Sequence, residues 1–179
     1  MKKLLLAMII TVSASAGLLV EPYLGYEIGS GEAGSTDYTF NTSVLGGRVG
    51  YTMLGLMGGI DYSLGMESDL EGKTGGVTGK TKYSQDSLGL FVGYELPILL
   101  RAWATYYLST NLERQEGTDK GKEYSGDGLG LGVGFTGLPF VSLNLEYRMM
   151  SYDEYDGTAL ANKIDMNFVM VGVSLPLDL

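Results

Sequence analysis

Apolar and polar residues alternate with period two along eight stretches of the chain, and each stretch reads as a two-faced β-strand. The plainest stretch has Leu129, Leu131, Val133 and Phe135 on one face and Gly128, Gly130, Gly132 and Gly134 on the other. The first strand spans roughly Leu19 to Ile28, with Val20, Leu24, Tyr26 and Ile28 opposite Glu21, Tyr23, Gly25 and Glu27. The second sets Leu45, Val49, Tyr51 and Met53 against Gly46, Arg48, Gly50 and Thr52, and the third Ile60, Tyr62, Leu64 and Met66 against Gly59, Asp61, Ser63 and Gly65. In the fourth, Leu88, Leu90, Val92 and Tyr94 oppose Gly89, Phe91, Gly93 and Glu95. In the fifth, Leu100, Ala102, Ala104, Tyr106 and Leu108 oppose Arg101, Trp103, Thr105 and Tyr107. The seventh faces Val141, Leu143, Leu145, Tyr147 and Met149 away from Ser142, Asn144, Glu146 and Arg148. The eighth is less regular. An apolar face of Val169, Val171, Val173, Leu175 and Leu177 sends Phe168 and Met170 to the other side and leaves Asp165 and Asn167 on the outer face, tolerable only near the headgroups. A bulge near Asn167 would relieve this.

Turn residues punctuate these strands at a fixed interval. Gly55, Pro97 and Pro139 lie 42 residues apart, the spacing of a repeated hairpin unit. Tight turns are expected at Leu54-Gly55, Pro97 and Leu138-Pro139. Long polar loops are expected over roughly 29–42, 67–82, 110–124 and 152–163. The pattern predicts an all-β fold, an eight-stranded antiparallel up-and-down transmembrane β-barrel. A soluble barrel fills its interior with apolar side chains. Here the apolar face is continuous, while the other carries Gly, Arg, Asp and Glu, so the apolar face belongs outside, toward lipid. Tyr51 and Tyr94 near the short turns, and Tyr26, Tyr62, Tyr83, Tyr106, Tyr124 and Tyr147 toward the long loops, are expected to form two interfacial bands.

The N-terminus sharpens the picture. Lys2 and Lys3 precede an apolar stretch, Leu4 to Val12, and Ala14-Ser15-Ala16 fits a small-x-small cleavage site. A secretory signal is expected over residues 1–16, and one barrel domain over residues 17–179. Removing the two lysines takes the net charge from −9 to −11, which argues against nucleic-acid binding. There are no cysteines and no histidines. Ser-His and Cys-His catalytic arrangements cannot be built, and zinc and haem lose their usual ligands. No enzymatic activity and no cofactor are expected.

With its signal, its hairpin ends of the Val92-Gly93-Tyr94-Glu95-Leu96-Pro97 kind and its last strand, the chain resembles the small outer-membrane β-barrels of the OmpA/OmpX type over Gly17–Leu179. The resemblance implies a bacterial outer-membrane location, periplasmic termini and extracellular long loops. It also implies a last strand read by the outer-membrane assembly machinery, with Val171, Val173, Leu175, Leu177 and Leu179 as the signal positions. Leu179 stands where such strands usually end in Phe. The implied partners are outer-membrane lipid, lipopolysaccharide and that machinery, around a monomer.

Eight strands leave an interior just wide enough for side chains. The inward charges Glu21, Arg48, Asp61, Glu95, Arg101, Glu146 and Arg148 are therefore expected to pair across the lumen. A turn at Leu54-Gly55 sets Arg48 opposite Asp61. A three-residue turn at Pro97-Ile98-Leu99 sets Glu95 opposite Arg101. A turn centred on Leu138 sets Gly130 opposite Glu146 and Gly128 opposite Arg148. The expected function is structural or surface-interacting, through acidic loops. The alternatives are a narrow channel or transporter for ions or small molecules, and a surface adhesin.

Overall fold

The computed structural model describes residues 16–179. The expected signal segment thus lies outside the described residues, apart from Ala16. The ladder runs through β1 (Gly17–Ala33), β2 (Thr36–Met53), β3 (Leu56–Thr74), β4 (Val77–Leu96), β5 (Leu100–Arg114), β6 (Glu123–Phe135), β7 (Ser142–Tyr155), β8 (Thr158–Ser174) and the two-residue β9 (Leu177–Asp178). Each strand pairs antiparallel with the next, and β1 pairs with β8 from Tyr23↔Ser174 to Glu32↔Asp165. The result is a closed eight-stranded barrel, in which β9 continues β8 alongside Leu19 and Val20. Closure pairs the edge strands, so the ladder can cross a bilayer without unpaired backbone groups.

The faces are those the alternation predicts. Leu24, Ile28, Val49, Ile60, Leu90, Leu131, Leu145 and Val171 point outward and are exposed. Glu21, Arg48, Asp61, Arg101, Glu146 and Arg148 point inward and are buried. Phe168 and Met170 are inside, as the eighth strand requires. The register through Asn167 is continuous, with no bulge there. Its side chain stays on the outer face and accepts a hydrogen bond from Tyr147 Oη at 3.0 Å.

Two of the three short-turn registers agree with expectation. Leu54 and Gly55 both take positive φ, 54° and 82°, the geometry of a two-residue primed hairpin, and Arg48 faces Asp61. Glu95 faces Arg101 across Pro97-Ile98-Leu99. The third differs by two residues. Phe135 pairs with Leu143, so Gly132 faces Glu146 and Gly130 faces Arg148. The connection over residues 136–141 is longer than a three-residue turn, and Thr136 N–H donates to Leu99 O at 2.8 Å, tying it to the neighbouring turn. A slip of two keeps every side chain on its face.

The long loops are mostly strands. The ladder continues beyond the apolar band to two-residue turns at Gly34-Ser35, Gly75-Gly76 and Asp156-Gly157. Only residues 115–122 remain a true loop. Beyond the bilayer neither face needs to be apolar, so alternation vanishes while backbone pairing persists. One-residue irregularities, as between Gly65 and Ser68 on β3, also reverse face parity partway up.

Candidate functional site

The inward glycines make room for the side chains that fill the lumen. A Cβ on Gly132 would fall in the Trp103 ring, and one on Gly46 in the Tyr23 ring. At Gly130 it would meet Glu146 Oε1 at 2.9 Å and the Tyr107 ring at 3.0 Å. Other glycines serve a different end, since Gly50 and Gly59 bring backbones together.

Three buried arginines occupy the space so made. Arg48 Nε donates to Asp61 Oδ2 at 2.7 Å and its Nη2 to Glu146 Oε2 at 2.8 Å, with Glu21 Oε1 3.8 Å away. Arg148 pairs with Glu27 at 2.6 Å and Glu146 at 2.8 Å. Arg101 pairs with Glu21 and donates to Asn144 Oδ1 and Ser174 Oγ, both at 3.0 Å. Glu146 is the hub, also accepting from Tyr107 Oη at 2.7 Å and Trp103 Nε1 at 3.1 Å. Tyr23 Oη donates to Asp61 Oδ1 at 2.7 Å. The Arg48 guanidinium lies 4.4 Å from the Trp103 ring centroid, and that of Arg148 lies 5.1 Å from Tyr107. In a low-dielectric interior such charges persist only when paired and hydrogen-bonded in this way.

The Glu95–Arg101 pair does not form. Arg101 turns across the lumen to Glu21, and Glu95 stands exposed at the short-turn rim. Facing positions in a register permit a pair, but Glu21 lies deeper and offers Arg101 a carboxylate shielded from water. Removing Arg101 would therefore leave Glu21 only the more distant Arg48, 3.8 Å away. Glu27, Tyr23, Trp103, Tyr107, Asn144 and Ser174 belong to the network although the charge pattern did not pick them out. Glu27 shares its face with Glu21 at period two, and Trp103 and Tyr107 share theirs with Arg101, which was the available signal.

A second layer closes the lumen on the long-hairpin side. Phe40, Leu112, Met150, Tyr152, Met166 and Phe168 form one buried cluster with Tyr83 and Tyr107. Tyr83 and the half-buried Tyr124 thus face inward rather than joining an interfacial band. Above the cluster a cup of about 320 Å³ opens between the hairpins, lined by Tyr38, Tyr83, Tyr124 and Tyr152 with Leu70 and Ile164. At the other end a mouth of about 300 Å³ lies against Leu19, Met57, Arg101 and Phe140.

The hairpins beyond the apolar band carry exposed ion pairs, Lys82 with Glu67 at 2.8 Å, Lys163 with Asp153 at 3.2 Å and Lys80 with Glu71. The hydrogen bond and charge of Lys82 hold the Glu67 carboxyl below its ordinary value and raise Lys82 in return. The support that Glu67 lends the β3–β4 hairpin is complete above the ordinary carboxylate value and is lost as pH falls through the lowered one. The Lys82 contribution is complete below the ordinary lysine value and is lost as pH rises through the raised one. Amide exchange in the hairpin, corrected for intrinsic rates, is expected to stay flat near neutrality and to quicken only at these two extremes. Quickening around neutral pH would contradict the assignment.

Among the described residues no cluster of acidic side chains could hold a metal ion. The terminal strand keeps Val171, Val173, Leu175, Leu177 and Leu179 on the outer face, and Leu179 exchanges backbone hydrogen bonds with Leu18 at 2.9 and 3.0 Å.

Residues 3–175 match the outer membrane protein beta-barrel domain family, and the chain belongs to it. It is an integral β-barrel protein of the bacterial outer membrane. Its fold is similar to Neisserial surface protein A, with 17% identity, 90% of this chain and 98% of that chain covered, and a TM-score of 0.59. It is also similar to Ail of Yersinia pestis, at 10% identity, 90% and 99% coverage and a TM-score of 0.61. OprG from Pseudomonas aeruginosa follows at 14% identity, 90% and 96% coverage and a TM-score of 0.54. At such identities the likeness concerns the fold alone. No curated protein sequence is a significant match to the chain.

Proposed function

We propose that the chain is a non-enzymatic, closed surface barrel that works through its long hairpins. The observation that carries this reading is the doubly sealed lumen, an arginine–carboxylate network beneath an aromatic and methionine layer. An interior so filled leaves little for a channel to conduct through and moves the interacting surface to the hairpins. In this reading a signal peptide over residues 1–16 exports the chain. Termini and short turns lie in the periplasm, hairpins outside, and the terminal strand guides assembly of a monomer among lipopolysaccharide. Ail is an attachment invasion locus protein and has also been solved with a heparin analogue, sucrose octasulfate. A polyanion does not suit the hairpins here. Glu123, Glu154 and Asp156 are exposed and stand outside the ion pairs found among the described residues, so a cationic partner surface fits better.

Cells displaying the chain should be retained on polylysine-coated beads. Replacing Glu123→Gln, Glu154→Gln and Asp156→Asn together should reduce that retention, most clearly at low salt. Equal retention by the triple variant would contradict the acidic-hairpin reading. Orientation is read separately. A cysteine at Thr118, in the loop, should react with a membrane-impermeant maleimide on intact cells, and no reaction there would reverse the proposed topology.

A further inference from the structure

The short-turn rim is apolar to its tips. Leu54, Ile98, Leu99, Leu138, Phe140 and Leu179 are all exposed, Phe140 by 87%, with Leu138 and Phe140 also bordering the lumen mouth. The segments 53–56, 96–100 and 135–142 contain no Asp, Glu, Lys or Arg. Turns bathed in water are ordinarily polar, with Gly, Asn, Asp and Ser prominent. Three of the exposed residues also hold backbone conformations that bulky side chains rarely adopt, φ being 54° at Leu54, 60° at Leu99 and 64° at Phe140.

The height of the apolar band gives these side chains an occupant. On the hairpin side the band ends at the hydrogen bonds Tyr106–Asp127 and Tyr147–Asn167 and at exposed Ser30. On β3 the outward apolar residues run from Met66 down to Leu56, the first residue after the turn. Those ten steps, at about 3.3 Å each and a tilt of about 40°, make about 25 Å, the full apolar height of such barrels. On β1 the run from Ile28 to Leu18 is equally long. On β7 the strand alone, Met149 to Leu143, supplies only about 15 Å by the same arithmetic, and the turn residues Leu138 and Phe140 must complete it. Tyr51 pairs with Leu18 and Tyr94 with Leu56, so both rings stand level with the lower ends of these runs, and the turn residues continue the apolar surface just beyond them.

We infer that the short-turn rim is sunk in the adjoining lipid leaflet, with Leu54, Ile98, Leu99, Leu138 and Phe140 inserted among the phospholipid acyl chains just beneath the headgroups. The rim is continuous with the lipid-facing band, and the headgroups hydrate the turn backbones. The mouth of the lumen then opens at the lipid headgroups rather than into free solvent. That this leaflet is the periplasmic one rests on the topology proposed above.

The natural chain has no cysteine, so single labels report cleanly. Nitroxide spin labels would be placed singly at Leu138→Cys and Phe140→Cys, with Leu131→Cys as the mid-barrel reference and Thr118→Cys as the aqueous one. Each protein is refolded into phosphatidylcholine vesicles, and a heat-modifiable gel shift confirms folding. Oxygen collision should exceed nickel-chelate collision at 138 and 140, as at 131, with the reverse at 118. Nickel access at 138 and 140 matching that at 118 would overturn the inference and put the rim in water. Low access to both reagents with dipolar broadening between labels would also overturn it, in favour of a second copy on the rim. The measurement does not depend on which side of the vesicle the rim faces. An orientation error, read by maleimide labelling at Thr118→Cys on cells, is therefore distinguishable from an error about depth.

Discussion

Replacing Arg48 by Met is expected to destabilise the barrel by roughly 3–5 kcal/mol, the cost of leaving a buried carboxylate without its cation. The three acids around Arg48 do not suffer equally. Glu21 keeps Arg101, and Glu146 keeps Arg148, Tyr107 and Trp103. Asp61 keeps only the Tyr23 hydroxyl, at 2.7 Å. Arg48→Lys should recover little, because one ammonium cannot reproduce a fork that reaches Asp61 and Glu146 from different nitrogens. Asp61→Asn should cost less than Arg48→Met, since Arg48 retains Glu146. The double variant Arg48→Met with Asp61→Asn should be more stable than Arg48→Met alone, because the stranded charge is gone. The check is the urea unfolding midpoint in lipid vesicles. Equal midpoints for wild type and Arg48→Met would mean that water, not the protein, neutralises Asp61.

Gly132→Leu is the second large effect. The new side chain must enter space held by the Trp103 ring. That ring cannot yield freely, because it donates to Glu146 and lies against the Arg48 guanidinium. Overpacking of this kind costs about 1–3 kcal/mol, and the linked network places this site toward the upper end. Gly79→Leu is the control. A Cβ there has nothing within 4 Å, so its stability should change by less than about 0.5 kcal/mol and its midpoint should hardly move. If the two variants behave alike, the inward glycines ease strand curvature and do not make room for the network.

How far the sequence could be read depended on whether a bilayer was constraining it. Within the apolar band, period-two alternation assigned each face correctly, because a lipid-facing charge is too costly to occur there. Leu54-Gly55 and Pro97-Ile98-Leu99 also fixed their registers, since short turns admit few geometries. At residues 136–141 the chain had six residues to spend, and the register moved by two. Beyond the band the constraint lapses. Polar residues occupy both faces, so strands over 29–42 and 67–82 resembled loops, and Tyr83 and Tyr124 resembled interfacial anchors while pointing inward. The charge network was legible as a set of inward residues but not as pairs. Arg101 reaches across the lumen to Glu21 on a strand it does not adjoin, and no local register encodes that.

Planar-bilayer recording of the refolded protein tests most directly whether the lumen is closed. With the arginine–carboxylate network and the Phe40–Phe168 layer both in place, no discrete current steps above the bare bilayer are expected at neutral pH. Reproducible steps from the wild-type protein, abolished when it is unfolded by heat before addition, would contradict a closed lumen and make the channel reading the correct one.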